Sequence, residues 1–137
     1  MSMTPEELEA FLAEPRMAHL ATVDAAGSPR VRPVWFLWRD SAMWILTRLH
    51  RHTGKDVSAN PSVAVSVDDD HRPYRAVVMR GEAAIIERDE QLMLDIATRY
   101  GEAEGRAFVL DHAMQEADRV ILKIVPSAVL TWDYGKD

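Results

Sequence analysis

The sequence predicts a mainly β fold, a small antiparallel barrel with short helices packed on it. About seven short segments rich in β-branched and aromatic residues follow one another closely along the chain. Polar turns containing Gly, Pro, Asp or Ser separate them, which is typical of hairpins. The helical patterns between these segments are few and short.

The length and composition favour one globular domain spanning residues 1–137. A hydrophobic fraction of 47% and a charged fraction of 28% are those of an ordinary globular protein. The net charge of −6 argues against a nucleic-acid partner, because such binding normally depends on a basic excess. The absence of Cys excludes disulfides, thiolate catalysis and Cys-ligated zinc.

No apolar run approaches the ~18 residues that a membrane-spanning helix needs, so we expect no membrane partner. The first residues lack the basic start and apolar stretch of a secretory signal. We therefore expect a cytoplasmic protein.

A short N-terminal helix is the first predicted element. Thr4 suits the N-cap, Pro5 the first helical position, and Glu7 completes a capping box with Thr4. Pro15 ends the helix.

Three strands joined by tight turns are predicted next, over Met17 to Val23, Pro29 to Trp38 and Ala42 to Arg48. A helix from about Gly54 to Asn60 follows, for which Thr53 is the expected N-cap and Asp56 the capping-box partner.

The remaining elements are predicted from the same patterns. They are a strand from Ser62 to Val67, a long strand from Tyr74 to Glu87 with a bulge at Gly81, helices from Asp89 to Tyr100 and from Ala103 to Glu116, and closing strands from Val120 to Val125 and Ala128 to Trp132 divided by Pro126-Ser127.

A basic segment between the third strand and the second helix is the first candidate site. Arg48, Arg51 and Lys55 lie within nine residues of an otherwise acidic chain, at a predicted helix N-terminus. Free N–H groups, the helix dipole and cations together favour a phosphate. Arg30 and Arg32 alternate on the preceding strand and are expected to face the same side. A solvated basic loop is the alternative, and both interpretations stay open.

Tryptophans on the central hairpin are the second feature. Trp35 and Trp38 are three residues apart, so on one continuous strand they face opposite sides. One side is expected to face the core, and the other a cofactor pocket or a subunit interface. Core packing with partly exposed aromatics explains the same pattern.

Other catalytic patterns are absent from the sequence. It contains no Gly-x-Ser-x-Gly, Gly-x-Gly-x-x-Gly or Walker motif, and His50 and His52 lack a third ligand nearby. We therefore assign no catalytic acid, base or nucleophile and no metal site.

Several short motifs together resemble one known family. In order they are His19-Leu-Ala-Thr-Val23, Gly27-Ser-Pro29, Val31-Arg-Pro-Val-Trp35, Trp44-Ile-Leu-Thr47, Thr53-Gly-Lys55, Asn60-Pro-Ser-Val-Ala-Val-Ser66, Arg80-Gly-Glu-Ala83 and Thr131-Trp-Asp133. This order and spacing resemble the pyridoxamine 5′-phosphate oxidase-like flavin and deazaflavin oxidoreductases. The resemblance implies an FMN-binding split β-barrel and a homodimer with its cofactor at the subunit interface.

The resemblance also implies which residues bind the cofactor. By position, Arg32, Pro33, Val34 and Trp35 would lie along the tricyclic ring, Leu46, Thr47 and Arg48 beside the ring and its side chain, and Thr53 and Lys55 at the phosphate. Gly54 departs from the Arg, Ala or Gln of many members; it allows close backbone approach but adds no charge. The phosphate contacts would then depend on Arg48, Arg51 and Lys55.

The function implied is hydride transfer between a bound flavin, FMN, and a small organic substrate, with the redox chemistry supplied by the cofactor. Pyridoxamine phosphate is not the expected substrate, because the usual pyridoxal-phosphate-binding residues are not recognisable. The deazaflavin coenzyme F420 is the alternative cofactor, its oligoglutamate tail lying along Arg51 and the neighbouring His residues. A non-catalytic flavin- or haem-binding module is the alternative function.

Overall fold

The computed structural model describes residues 2–136, which form one seven-stranded antiparallel sheet with short helices against it. The strands are β1 (Ala18–Val23), β2 (Pro29–Val34), β3 (Leu37–Arg39), β4 (Ala42–Arg48), β5 (Ser62–Asp69), β6 (Arg75–Glu87) and β7 (Arg119–Asp133). The helices are α1 (Pro5–Ala13), α2 (His52–Ala59), α3 (Glu90–Ala97) and α4 (Glu102–Asp111), with 3₁₀ turns at Thr98–Tyr100, Ala113–Gln115 and Tyr134–Lys136.

The predicted mainly β, antiparallel fold with short helices is confirmed. The strand order is β2-β1-β5-β6-β7-β4-β3, and within residues 2–136 no backbone ladder joins β2 to β3. The sheet therefore does not close into a continuous barrel.

The predicted strand from Pro29 to Trp38 is wrong, since the chain leaves one edge of the sheet at Val34 and joins the other at Leu37. The intervening Phe36 is fully buried. Its N–H donates to the Tyr100 hydroxyl at 2.9 Å, and its carbonyl accepts from Arg99. These side-chain partners replace a strand ladder, so the argument that Trp35 and Trp38 share one strand does not apply.

The predicted break at Pro126 is also wrong, because β7 runs through it as one strand. The register against β6 shifts between Arg80 and Gly81, so Ser127 is an extra residue there. The bulge predicted at Gly81 is confirmed. A Cβ at Gly81 would lie 2.7 Å from the Val125 carbonyl oxygen, which explains the absence of a side chain.

Local signals at α1 are confirmed in detail. Thr4 caps the helix and Glu7 returns a bond to the Thr4 N–H, a complete capping box. The predicted helix from Asp89 to Tyr100 is α3 followed by a 3₁₀ turn, and Asp89 caps it. The second predicted helix is α4 followed by the turn at Ala113–Gln115.

Two apolar clusters hold these elements together. The larger lies between the sheet, α1 and α2 and includes Phe11, Leu20 and Phe36. The smaller lies under α3 and α4, and Trp35, Trp44 and Leu46 pack against it half-buried. Because these three side chains are only partly covered, the edge of the smaller cluster is where a cleft forms.

No helix within residues 2–136 combines the length and apolar character needed to cross a membrane.

Candidate functional site

A cleft of about 300 Å³ lies where the chain crosses from β2 to β3. We call it the aromatic cleft; its lining residues are Met17, Pro33, Val34, Trp35, Leu46, Phe108 and Arg119. Four of the eleven predicted site residues, Pro33, Val34, Trp35 and Leu46, therefore lie together. The walls are apolar apart from one guanidinium group.

Trp35 forms the best-supported wall of the aromatic cleft. Its ring stacks on Tyr100 with centroids 5.0 Å apart and planes 7° apart. Phe108 meets the same ring edge-on at 5.6 Å and 75°. Both arrangements are favoured geometries for aromatic pairs. Trp35 is thus held between two rings that come from helical segments far along the chain.

Tyr100 is itself anchored by its hydroxyl group. The hydroxyl accepts from the Phe36 N–H at 2.9 Å and donates to the Arg16 carbonyl at 2.7 Å. Burial raises the pKa of Tyr100, so the phenol stays protonated and keeps donating at neutral pH.

Arg99 ties the end of α1 to the same crossover. Its guanidinium donates to the carbonyls of Leu12, Ala13 and Glu14 at 3.0–3.1 Å, in addition to Phe36. Burial lowers the pKa of Arg99, yet an arginine stays protonated. The unpaired carbonyls at a helix end are therefore satisfied by a cation, which also fixes the backbone beside Trp35.

Arg119, at the start of β7, is the cation of the aromatic cleft. One terminal nitrogen pairs with Glu116 at 2.7 Å, and the guanidinium carbon lies 5.5 Å from the Phe108 ring centroid. The side chain is only 10% exposed. Its Nε is buried and has no hydrogen-bond partner among the described residues.

Arg48 joins the aromatic cleft to the predicted basic segment. It is paired with Arg119 in the β4–β7 register, and Glu116 bridges the two guanidinium groups at 2.8 and 2.7 Å. Asp118 accepts from Arg48 at 2.9 Å. Desolvation acts to raise the pKa of Asp118, but the bonds from Arg48 and the His50 N–H outweigh it and the pKa is lowered. Arg48 therefore already has two carboxylate partners.

The segment from residue 48 to residue 55, which we call the basic turn, differs from its prediction. α2 begins at His52 rather than Gly54, its N-cap is Arg51, and no side chain caps it. Thr53 is thus the second helical residue, and the predicted Thr53–Asp56 capping box is wrong. The physical reason is that the Asp56 side chain is buried and accepts from Thr22, so it is not available to complete a capping box.

Asp56 is the acceptor of a buried polar cluster. It is 3% exposed and accepts from the Thr22 hydroxyl at 2.8 Å. Arg30 and Arg32 lie 3.4 and 3.6 Å from the same carboxylate oxygen, and Arg32 also donates to Thr22 at 3.0 Å. The guanidinium of Arg32 thus belongs to this cluster, and Arg32 is not among the residues that line the aromatic cleft.

Gly54 has a packing reason to lack a side chain. A Cβ there would overlap the Arg48 carbonyl oxygen and come 2.5 Å from the Leu49 Cα. Gly54 therefore allows α2 to lie directly against the end of β4. The predicted close approach of Gly54 to a phosphate stays a prediction.

Lys55 faces a second cavity of about 310 Å³. Its lining residues are Asp24, Ala25, Ala26, Arg30, Lys55 and Asp56. Lys55 and Arg51 are exposed, Thr53 is half-buried, and Thr47 is buried on the face of β4 opposite Leu46 and Arg48. The eleven predicted residues thus divide between the aromatic cleft and the polar region around α2.

The sequence reasoning did not identify Met17, Phe108 or Arg119 as lining residues. Each belongs to a separate segment, and their only common property is the place to which the fold brings them. No periodicity or motif links them in the sequence.

Comparisons with known proteins identify relatives of this chain. The family model described as pyridoxamine 5′-phosphate oxidase matches residues 4–133. An F420 reductase of known structure is 31% identical; the match covers 92% of this chain and 98% of the reductase, with a TM-score of 0.73.

Two further relatives have different descriptions. The conserved hypothetical protein Rv2991 from Mycobacterium tuberculosis is 25% identical, with coverage of 98% of this chain and 87% of Rv2991 and a TM-score of 0.82. The haem oxygenase HutZ of Vibrio cholerae is 26% identical over an alignment of 127 residues, and the match covers 88% of this chain and 70% of HutZ.

Proposed function

This chain belongs to the pyridoxamine 5′-phosphate oxidase family, and on that basis we propose that it is an oxidoreductase with a flavin-type ring bound in the aromatic cleft. One observation carries the proposal: Pro33, Val34, Trp35 and Leu46, chosen by resemblance as ring-binding residues, line one cleft. The cleft volume of about 300 Å³ is suited to a planar ring system.

The residues present fit such a cofactor. Apolar and aromatic walls suit a planar ring, and the guanidinium group of Arg119, the only polar side chain among the described lining residues, offers donors at its edge. Lys55 is exposed on α2 beside the second cavity and is the cation we assign to the phosphate. Arg48 supports this region through Asp118 and Glu116.

When bound, the cofactor supplies hydride transfer between its ring and a small organic substrate. The protein's own contribution is positional. Trp35, fixed by Tyr100 and Phe108, holds the plane of the ring, while Met17, Val34 and Leu46 exclude water from it. No acid or base from the chain is required for that transfer, which agrees with the lack of a catalytic triad in the sequence.

For the identity of the cofactor, we propose coenzyme F420 first and FMN second. The 31% identity to an F420 reductase over nearly its full length supports this order. This order reverses the one expected from the sequence, which put FMN first. The choice between the two cofactors stays untested. The exposed Arg51 and His50 offer contacts to the carboxylates of an oligoglutamate tail.

We also propose that the protein is a homodimer with the cofactor at the subunit interface. Large apolar side chains remain exposed on the sheet, including Val31 at 69%, Leu130 at 61% and Val125 at 57%. A second copy would remove this apolar surface from water. Light scattering at micromolar concentration should give twice the protomer mass; a monomer with and without cofactor would contradict the interface.

A haem-binding module is the second candidate, supported by the similarity to HutZ. None of the residues lining the aromatic cleft is a His, the usual haem ligand, which ranks this candidate lower.

The experiment that tests the proposal is a titration of purified protein with F420, FMN and haemin, followed by absorbance and fluorescence. We expect saturable binding of F420, at one per protomer, with FMN weaker. Trp35→Leu should weaken F420 at least tenfold, because it removes the stacked wall. Trp38→Leu, outside the cleft lining, is the control. Binding of haemin alone would overturn the oxidoreductase proposal.

A further inference from the structure

The guanidinium of Arg119 is nine-tenths buried, yet one of its donors is unused. The side chain is 10% exposed, and Nε has neither solvent nor a hydrogen-bond partner within the described part of the chain, residues 2–136. A buried donor without an acceptor destabilises the folded state. Such groups are rare in native proteins and need an explanation.

The surroundings of Arg119 are held together by ion pairs and hydrogen bonds. Glu116 uses one carboxylate oxygen for Arg119 and the other for Arg48. Arg88 donates to the carbonyls of Met114 and Glu116 at 3.1 and 2.8 Å, which pins the turn that carries Glu116. No residue within 2–136, Glu116 included, accepts a hydrogen bond from Nε, so an acceptor has to come from outside the described residues.

Arg119 lines the aromatic cleft, and although its Nε is covered, a ligand bound there meets the guanidinium group from this side. Of the residues lining it, Arg119 is the only one with a polar side chain; the others are apolar or aromatic. The cleft thus suits a planar ligand with one hydrogen-bond acceptor at its edge, and it disfavours polyhydroxylated compounds such as sugars.

We propose that Arg119 determines the ligand specificity of the aromatic cleft by donating a guanidinium N–H to a carbonyl or carboxylate oxygen of a planar conjugated ligand. The oxygen has two sources, a ring carbonyl of the cofactor or the carbonyl or carboxylate of an aromatic substrate. Only the first source rests on the proposed function.

The first arm of the test uses cofactor-free protein and its tryptophan fluorescence, to which Trp35 in the cleft contributes, as the reporter. Benzoate is the planar oxygen-bearing probe, and toluene is its matched analogue without an acceptor. Arg119→Lys keeps a cation for Glu116 but lacks the guanidinium group. We expect a roughly ten- to hundred-fold loss of benzoate affinity with toluene unchanged. Arg106→Lys, an exposed pair with Glu102 on α4, is the control.

Two results of this arm would overturn the proposal. One is equal benzoate affinity in wild type and Arg119→Lys; the other is an equal loss of benzoate and toluene, which indicates structural damage. Should Arg119→Lys unfold, Glu116→Gln serves instead. It leaves the guanidinium in place and removes its competing carboxylate, so benzoate should bind several-fold tighter, and weaker binding would refute the inference.

The second arm identifies the source of the oxygen. A ten- to hundred-fold loss of F420 and FMN affinity in Arg119→Lys assigns it to the cofactor. Unchanged cofactor affinity with loss of benzoate from the cofactor-loaded protein assigns it to the substrate. Unchanged binding of both contradicts the inference. If wild type binds neither cofactor, the proposed function fails while the benzoate arm still decides the role of Arg119.

Discussion

The aromatic cleft and the basic turn are built in opposite ways. The basic turn is one continuous segment, and its cations are close in space because they are close in sequence. The aromatic cleft takes residues from Met17 to Arg119, and the fold alone brings them together. A local cluster can thus be recognised without a structure, whereas a site assembled from distant segments cannot.

The comparison also shows that the number of cationic residues in a sequence segment overestimates the number of cations that are free to bind a ligand. Arg48 in the basic turn is neutralised by Asp118 and Glu116, so Arg51 and Lys55 are its exposed cations. The aromatic cleft has a single cation, but Arg119 is nearly buried and has an unused donor. Because it is buried, Arg119 discriminates between ligands more strongly than the exposed cations of the basic turn do.

Gly54→Ala should have the largest effect, and on stability. The added Cβ overlaps backbone atoms of Arg48 and Leu49, which have no rotamer by which to move aside. We expect a loss of about 3 kcal/mol in the free energy of unfolding, measured by denaturant titration. Gly27→Ala is the control, since φ is +86° but no atom lies within 4 Å, and about 1 kcal/mol is expected. Equal losses would show that the packing of α2 does not determine the geometry of the basic turn.

Lys55→Ala should weaken cofactor binding without affecting folding. A charge-assisted bond to phosphate contributes roughly 1.5–3 kcal/mol, or about ten- to hundred-fold in affinity. Fluorescence titration of F420 and FMN measures the loss, with Arg106→Ala as the exposed control. Unchanged affinity for both cofactors would place the phosphate away from the basic turn.

Arg51→Ala should have a smaller effect that depends on salt. Exposed contacts to tail carboxylates contribute ~0–1 kcal/mol each, and they weaken as the Debye length falls from ~10 Å at 0.1 M to ~3 Å at 1 M salt. F420 affinity should fall more steeply with salt than FMN affinity, and Arg51→Ala should reduce that difference. If FMN binds tighter at every salt concentration and Arg51→Ala changes neither ligand, FMN is the cofactor and Arg51 contacts no tail.

The smallest effects are on the pH dependence of stability, and the two regions should differ in sign. Asp118 beside the basic turn has a lowered pKa in the folded state, so its stabilisation is lost as pH falls from about 4 through that lowered pKa. Tyr100 behind the aromatic cleft has a raised pKa, so its stabilisation is lost as pH rises from about 10 through that raised pKa. Chemical denaturation across pH measures both slopes.

Single variants separate these two contributions. Asp118→Asn should reduce only the acid slope, to which the lowered pKa values of Glu7, Asp24, Asp69 and Asp95 also contribute, and Tyr100→Phe should reduce only the alkaline slope. A Tyr100→Phe protein with an unchanged alkaline slope would show that the phenol is not desolvated behind Trp35.

Local signals in the sequence determined a large part of this fold. The Thr4–Glu7 capping box and the hairpin turns depend on interactions between near neighbours. Gly81 marked the bulge in the sequence, although the contact that excludes a side chain there is with Val125 on β7. The mainly β class follows from the hairpin turns. The motifs that carry the resemblance also include Pro33, Val34, Trp35 and Leu46, which the structure brings to one cleft, and their role in binding a cofactor stays a prediction.

Tertiary structure alone decided the remainder. The strand break at Phe36 depends on Tyr100 and Arg99, more than sixty residues away. The position of Asp56 depends on Thr22, and the neutralisation of Arg48 on Asp118. In each case a buried polar group takes a partner from a distant segment, because leaving it unpaired in the interior costs more than a local cap or strand contributes. Arg119 is also a buried polar group, but its Nε has no hydrogen-bond partner within residues 2–136, and no pattern in the sequence indicates this.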